Sequence, residues 1–273
     1  DGPNARHFIP VRVRPANESP RITSTAPTQA FEDSAFSYTV EILELDEDAV
    51  TFTLVSGPEG MTIDADGLVT WAPTQQDTGS VPVEILVTDE GGESATQSFA
   101  LTVFNTNDAP SFVSIADTST AEDQLFTLQL SATDIDVADT SLTFTLTSGP
   151  DSLLVDSSGV VSWTPVQTDV GANSVVVKVE DGQGGTDSTS FGITVIEVDD
   201  DPIITSSTDT TAPEDALYEY SVIATDEEGE ALSFELTTSP ASMTIDTTGT
   251  IRWTPVQADT GSHDVTVQVS DPG

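Results

Sequence analysis

Apolar and polar residues alternate through most of the chain. Phe36, Tyr38, Val40 and Ile42 are spaced two apart, as are Phe126, Leu128, Leu130 and Tyr218, Tyr220, Val222. A second set is Val50, Phe52, Leu54; Leu142, Phe144, Leu146; and Leu232, Phe234, Leu236. A third is Val83, Ile85, Val87; Val175, Val177, Val179; and Val265, Val267, Val269. Phe99, Leu101, Val103 and Phe191, Ile193, Val195 close the series. A period of two puts one face of a strand in a core and the other in water. Val, Thr and aromatics fill the runs, and Gly, Pro, Asp and Ser separate them. No segment keeps a helical period. Six or seven short strands in a unit of about 91 residues predict a β-sandwich.

The unit recurs three times. Trp71, Trp163 and Trp253 are 92 and 90 residues apart, each in a like phrase: Val69-Thr70-Trp71-Ala72-Pro73, Val161-Ser162-Trp163-Thr164-Pro165, Ile251-Arg252-Trp253-Thr254-Pro255. Each Trp lies in an alternating strand with apolar neighbours, which predicts a core anchor; an exposed sugar platform is the competing role. An acidic, Pro-terminated linker recurs as Asn17-Glu18-Ser19-Pro20, Asn107-Asp108-Ala109-Pro110 and Asp199-Asp200-Asp201-Pro202. The phases divide the chain into an orphan last strand (1–16), two full repeats (17–106 and 107–198) and a third repeat lacking its last strand (199–273). The orphan run His7–Arg14 carries Phe8/Ile9, Val11 and Val13 in the pattern of the last strands Phe99–Val103 and Phe191–Val195. Two expectations fit this phase: a piece of a longer tandem array, or a strand donated head-to-tail, residues 5–15 of one subunit completing the third repeat of an identical one.

Charge changes the picture. Against 47 Asp+Glu stand 6 Lys+Arg, a net charge of −41 in 273 residues. Nucleic acid and anionic membranes would be repelled. The chain has no Cys, which removes thiol catalysis, Cys-zinc sites and disulfides. No run of about 20 apolar residues is present, so direct membrane insertion is not expected. The opening Asp1-Gly2-Pro3 is neither an initiator Met nor a signal peptide, as expected of a processed product or a piece of a longer chain.

Most of the acids need be no more than solvated surface, but some recur at fixed phase. These are the pairs Glu32-Asp33, Glu122-Asp123 and Glu214-Asp215; the motifs Glu44-Leu45-Asp46, Asp134-Ile135-Asp136 and Asp226-Glu227-Glu228; Asp77, Asp169 and Asp259, six after each Trp; and Asp89, Asp181 and Asp271, eighteen after it. Like charges about 8 Å apart repel by about 2 kcal/mol at an effective dielectric constant near 20. Several gathered at one joint therefore call for a cation. Ca²⁺ takes six to eight carboxylate and carbonyl oxygens, whereas Mg²⁺ keeps its water and Zn²⁺ wants His or Cys.

These motifs, together with Ile63-Asp64-Ala65-Asp66-Gly67-Leu68-Val69-Thr70-Trp71, Val87-Thr88-Asp89-Glu90-Gly91 and Asn105-Thr106-Asn107-Asp108-Ala109-Pro110, resemble the dystroglycan-type cadherin-like repeats of large bacterial surface proteins. The resemblance covers essentially the whole chain. It implies an all-β fold of tandem cadherin/Ig-like sandwiches in an elongated rod, with calcium between successive repeats. Carried over, the first joint uses Glu32, Asp77, Asn105, Asn107, Asp108, Asp134, Asp136 and Asp181. The second uses Glu122, Asp169, Glu197, Asp199, Asp200, Asp226, Glu228 and Asp271. Asn17, Glu18, Glu44, Asp46 and Asp89 form a weaker half-site, which Glu214 and Asp259 of a neighbouring subunit would complete. Two features depart from vertebrate cadherins: the Asp-Arg-Glu motif is missing, and the linker is one residue shorter between its Asp and its Pro. Gln75, Gln76, Gln167 and Gln257 could supply further oxygens or be plain surface, and surface is the preferred reading.

Catalysis is not expected. His7 and His263 lie at different repeat phases and have no Ser or Cys partner at a recognisable spacing. The informative acids recur in every unit, whereas an active site is normally single. The expectation is an extracellular, calcium-stiffened stalk or filament segment of a cell-surface protein. The alternatives are a carbohydrate-binding module, with surface glycans as partners, and a homophilic adhesion module.

Overall fold

The computed structural model describes residues 6, 9–10, 16–136 and 141–273. Among them the ordered secondary structure is β-strand apart from three single 3₁₀ turns. The first repeat contains β1 (Arg21–Ile22), β2 (Gln29–Phe31), β3 (Phe36–Thr39), β4 (Ile42–Leu43), β5 (Val50–Ser56), β6 (Thr62–Ile63), β7 (Leu68–Trp71), β8 (Gly79–Asp89) and β9 (Ser94–Phe104). One sheet has the order β2-β9-β8-β5 and the facing one β3-β7-β6, with β1 paired to β4. All pairings are antiparallel except β2 with β9. The alternating residues meet between the sheets: Phe36, Tyr38 and Val69 from one, Val83, Ile85, Val87, Leu101 and Val103 from the other.

The second repeat repeats this order. Thr118–Ala121, Thr186–Ile196, Gly171–Glu180 and Thr143–Ser148 form its four-stranded sheet, and Phe126–Gln129, Val160–Trp163 and Leu154–Val155 its three-stranded one. In the third repeat Tyr218–Ser221, Thr250–Trp253 and Thr244–Ile245 keep the three-stranded sheet. Among the described residues its other sheet holds two strands, Ser233–Thr238 and Thr266–Ser270. Val265, expected in one strand with Val267 and Val269, lies just outside Thr266–Ser270 and is 40% exposed. The cause is local: among the described residues Thr266–Ser270 pairs on one edge only, whereas β8 is held on both sides by β5 and β9. The proposed donor segment, residues 5–15, lies almost wholly outside the described residues.

Contacts divide the chain into two compact units. One comprises the described residues up to Pro110 with Thr133–Ser141 and Glu180–Thr186. The other comprises Ser111–Ala132, Leu142–Val179 and Asp187–Gly273.

The three Trp rings are core. Trp71, Trp163 and Trp253 are 4%, 2% and 8% exposed. Each indole N–H, which needs a partner once buried, donates to Glu59 O, Ser152 Oγ and Ser242 Oγ respectively. The turn leading into each Trp strand is built by one Asp. Asp64 Oδ1 accepts the N–H groups of Asp66 and Leu68; Asp156 and Asp246 do the same for Ser158 and Val160, and for Thr248 and Thr250. A glycine completes this turn because its φ is +81° at Gly67, and a Cβ there would come within 2.9 Å of the Phe52 ring. These acids recur for folding reasons.

Burial of this kind makes Trp163→Ala expensive. The substitution is expected to cost about 3–5 kcal/mol in denaturant unfolding. A loss below about 1 kcal/mol would place the ring outside the core.

Candidate metal sites at the acidic joints

Each site begins where the chain leaves β2 or its counterpart. The Glu32 N–H donates to Phe104 O and the Asp33 N–H to Pro73 O, which turns the chain sharply. Asp33 takes a left-handed φ of 55°, and Asp123 and Asp215 repeat it at 56° and 57°. Asp tolerates this conformation better than most side chains. The turn sends Glu32 inward, where it is fully buried at 0% exposure. Its Oε1 accepts the Thr106 N–H at 2.7 Å; its Oε2 is buried and has no hydrogen-bond partner.

Glu32, Asp108 and Asp136 each offer a carboxylate oxygen, all within 4.8 Å of one another. Asp136 is 2% exposed. It accepts from the Asn105 amide at 2.9 Å and the Asp108 N–H at 2.7 Å, and its own N–H donates to Asp134 Oδ1 at 2.9 Å. Asp134 Oδ2 is buried without a partner. Asn107 donates to Asp181 Oδ2 at 2.9 Å, while Asp181 Oδ1 gathers the N–H groups of Gln183, Gly184 and Gly185. The Asn107 amide, helped by those backbone donors, holds the Asp181 carboxyl below its usual range. Burial, then the charges of Asp33, Asp136 and Asp134, pushes Asp108 up. Gly185 is required by close approach: a Cβ would fall 2.8 Å from Ala109 Cα and collide with Asp181. All of these residues belong to the first compact unit.

The second site lies wholly in the second unit. Glu122 is 1% exposed and accepts the Val198 N–H at 2.8 Å, as Glu32 accepts that of Thr106. The three carboxylates here are Asp199, Glu230 and Asp271. Burial raises the Asp199 carboxyl, followed by the charges of Asp271, Asp226, Asp201 and Asp200. Glu230 is raised by burial and by Asp199, Asp226, Asp271 and Glu197. The nearness of its own backbone N–H opposes a rise at Glu228, yet burial, Asp226 and Asp200 outweigh it and raise the carboxyl. Asp226 Oδ2 and both Glu228 carboxylate oxygens are buried without partners.

The half-site repeats the frame. Asn17 donates to Asp89 Oδ2 at 3.1 Å, the Glu18 N–H to Asp46 Oδ2 at 2.6 Å and the Asp46 N–H to Glu44 Oε1 at 3.1 Å. Glu44 Oε2 is buried and unpartnered. Glu214, by contrast, is exposed. Asp77, Asp169 and Asp259 fall outside the three-carboxylate groups. Each caps its own 3₁₀ turn, accepting the N–H of Thr74, Val166 and Val256 at 2.8, 3.0 and 2.9 Å. That cap is a folding reason for their recurrence.

Two glutamines correct the surface reading. Gln75 Oε1 and Gln167 Oε1 are buried and without partners. Glu230 went unselected in the sequence because Ala138 stands at its phase in the second unit, so no acid marked that position at both joints.

Tandem Ig/cadherin-like sandwiches with acids gathered beside their linkers define a class of repeat protein. The chain belongs to the family described as Putative Ig domain (He_PIG), which matches it at residues 19–104, 109–196 and 201–273. No curated protein sequence matches significantly. Among solved structures, mouse Cadherin-23 EC22-24 is similar at 18% identity and a TM-score of 0.57, over 93% of this chain and 94% of that one. Protocadherin Gamma B2 extracellular cadherin domains 1-5 align at 15% and 0.56, over 93% of this chain and 57% of that one. An endo-fucoidan hydrolase from glycoside hydrolase family 107 reaches 23% identity and 0.34, over 94% of this chain and 43% of that one, a score too low to carry an argument. These likenesses show the fold.

Glu32→Gln keeps the acceptor for Thr106 and removes a negative charge beside Asp108 and Asp136. In EDTA it is therefore expected to raise the melting temperature by a few degrees in calorimetry. A fall would mean that the Glu32 charge already has a compensating partner.

Proposed function

We propose that this chain is a calcium-stiffened structural segment of an extracellular, cell-surface protein of the dystroglycan-type cadherin-like kind. The observation that carries the reading is Glu32: a fully buried carboxylate with one unpartnered oxygen, facing two further carboxylates. Burying an unpaired charge is costly, and the usual remedies are a partner, a metal or protonation. The donor set is all oxygen, as a hard cation requires. The ligands would be Glu32, Asp108, Asp134 and Asp136 at the first site, and Asp199, Asp226, Glu228, Glu230 and Asp271 at the second. Linker residues Asn105, Asn107 and Asp108 already bond to Asp136 and Asp181 of the next repeat, so an ion there would lock that connection. Extracellular modules bind calcium with Kd of about 10⁻⁴–10⁻³ M, and at 10–100 times Kd each site adds about 1.4–2.7 kcal/mol. The buried Trp rings weigh against the glycan-platform alternative.

Isothermal titration calorimetry of the intact chain with CaCl₂ tests this. Binding heat at sub-millimolar to millimolar calcium is expected, with a melting temperature that EDTA lowers by on the order of 10 °C. Asp136→Ala is expected to abolish the first site and leave the second within a few-fold, since distant sites act independently. Absence of both heat and EDTA response would overturn the reading.

A cavity of about 800 Å³ in the third repeat favours a second element of the proposal. Tyr218, Tyr220, Met243, Ile251, Trp253 and Val267 line it, beside the edge of Thr266–Ser270 that no strand among the described residues pairs. In the first repeat this place is filled by Leu101 and Val103 of β9. We read the groove as an acceptor for an alternating strand of a second copy, with Ile9, Val11 and Val13 in the phase of Phe99, Leu101 and Val103. Light scattering is expected to show concentration-dependent head-to-tail oligomers that Val11→Asp with Val13→Asp dissolves. A monomer at all concentrations would overturn it.

A further inference from the structure

We propose that the side-chain carbonyls of Gln75 and Gln167 are neutral calcium ligands, one at each joint. This rests on the calcium reading above and names a donor type which that reading does not include.

Gln75 and Gln167 open the 3₁₀ turns Gln75–Asp77 and Gln167–Asp169, four residues after their Trp. Asp77 and Asp169 cap the backbone of these turns, which fixes where each glutamine starts. The Gln75 Nε2–H donates to Ile135 O at 3.3 Å. Ile135 sits between Asp134 and Asp136, so this bond brings the amide to the acidic loop of the next repeat. A carbonyl oxygen accepts only from a donor, so the amide nitrogen must face Ile135. The amide is planar, and Oε1 is thereby fixed as well. It is buried, without a partner, as is Asp134 Oδ2.

A carboxylate so placed could escape its burial cost by taking up a proton. An amide oxygen cannot, and an acceptor left unsatisfied in a protein interior is rare. Gln167 opens the corresponding turn of the second repeat, and its Oε1 is likewise buried without a partner. Gln257 occupies the same phase of the third repeat and supplies an internal comparison. It is exposed, and its Nε2–H turns back to Thr260 Oγ1 at 3.2 Å. The orphaned amide oxygen thus accompanies the acidic joint and not the turn itself.

A neutral oxygen suits such a site. Ca²⁺ wants six to eight oxygens, and ligand charge count tunes its affinity. A further carboxylate would add negative charge beside Glu32, Asp108 and Asp136, whereas an amide adds coordination without charge.

Calorimetric titration with CaCl₂ of the intact wild-type chain, Gln75→Leu and Gln75→Glu separates the possibilities. Gln75→Leu is expected to weaken the first site about tenfold and spare the second. Gln75→Glu keeps an oxygen donor but loses the N–H, and is expected to hold or tighten calcium. Gln167→Leu, the mirror variant, should weaken the second site alone, which guards against a folding defect at either position. Wild-type binding that Gln75→Leu leaves unchanged overturns the glutamine assignment and spares the calcium reading. If Gln75→Glu falls as far as Gln75→Leu, only the N–H to Ile135 matters, and the carbonyl ligand is overturned. A wild-type chain that takes up no calcium overturns the calcium reading itself.

Discussion

Burial of carboxylates that the protein's own cations cannot neutralise sets the terms for the rest of the structure. With 6 basic residues against 47 acids, ion pairing cannot serve most of them. Solvation takes care of those on the surface. Glu32 and Glu122 have neither, because the chain folds over them. Each is held by one backbone N–H, from Thr106 and Val198, so the following linker is tied to the turn that presents the glutamate.

The recurring acids have three distinct causes. Asp64, Asp156 and Asp246 build the turn before the Trp strand, and hydrogen bonds from Ser158, and from Thr248 and Arg252, hold the latter two below the usual carboxylate range. Asp77, Asp169 and Asp259 cap the turn after it. Only the third set converges with unsatisfied oxygens, in the loops that follow β2 and β4 and in the linkers, or their counterparts. Its frame of Asn-to-Asp and N–H-to-Asp bonds appears at Asn17–Asp89 and Glu18–Asp46 as well as at Asn107–Asp181 and Asp108–Asp136. Sandwich, turn and linker are thus one device: the core fixes the strand ends, and the strand ends fix the oxygens.

Much of this was legible in the chain. Alternation around Phe36–Ile42 or Val83–Val87 reads directly as strand because one face must be apolar. The parallel pairing of Gln29–Phe31 with β9 was not legible, since a three-residue strand has too few alternations to register. Acidic phase located Glu32, Asp108, Asp136 and Asp199, because repetition marks position. It could not separate a cap such as Asp77 from a converging group, as both recur for good physical reasons. Gln75, four residues after Trp71, was legible as a candidate further oxygen, but glutamine is an ordinary surface residue and composition alone favoured that reading. Glu230 lay outside the pattern because Ala138 interrupts its phase in the second unit.

The central claim is that a calcium ion completes Glu32. Anomalous scattering from crystals grown in millimolar CaCl₂ tests it most directly. The account predicts a calcium peak about 2.3–2.6 Å from Glu32 Oε2, with Asp108 and Asp136 in the same shell. A first joint without such a peak, with Glu32 Oε2 bonded instead to water or to a protonated neighbour, would contradict it.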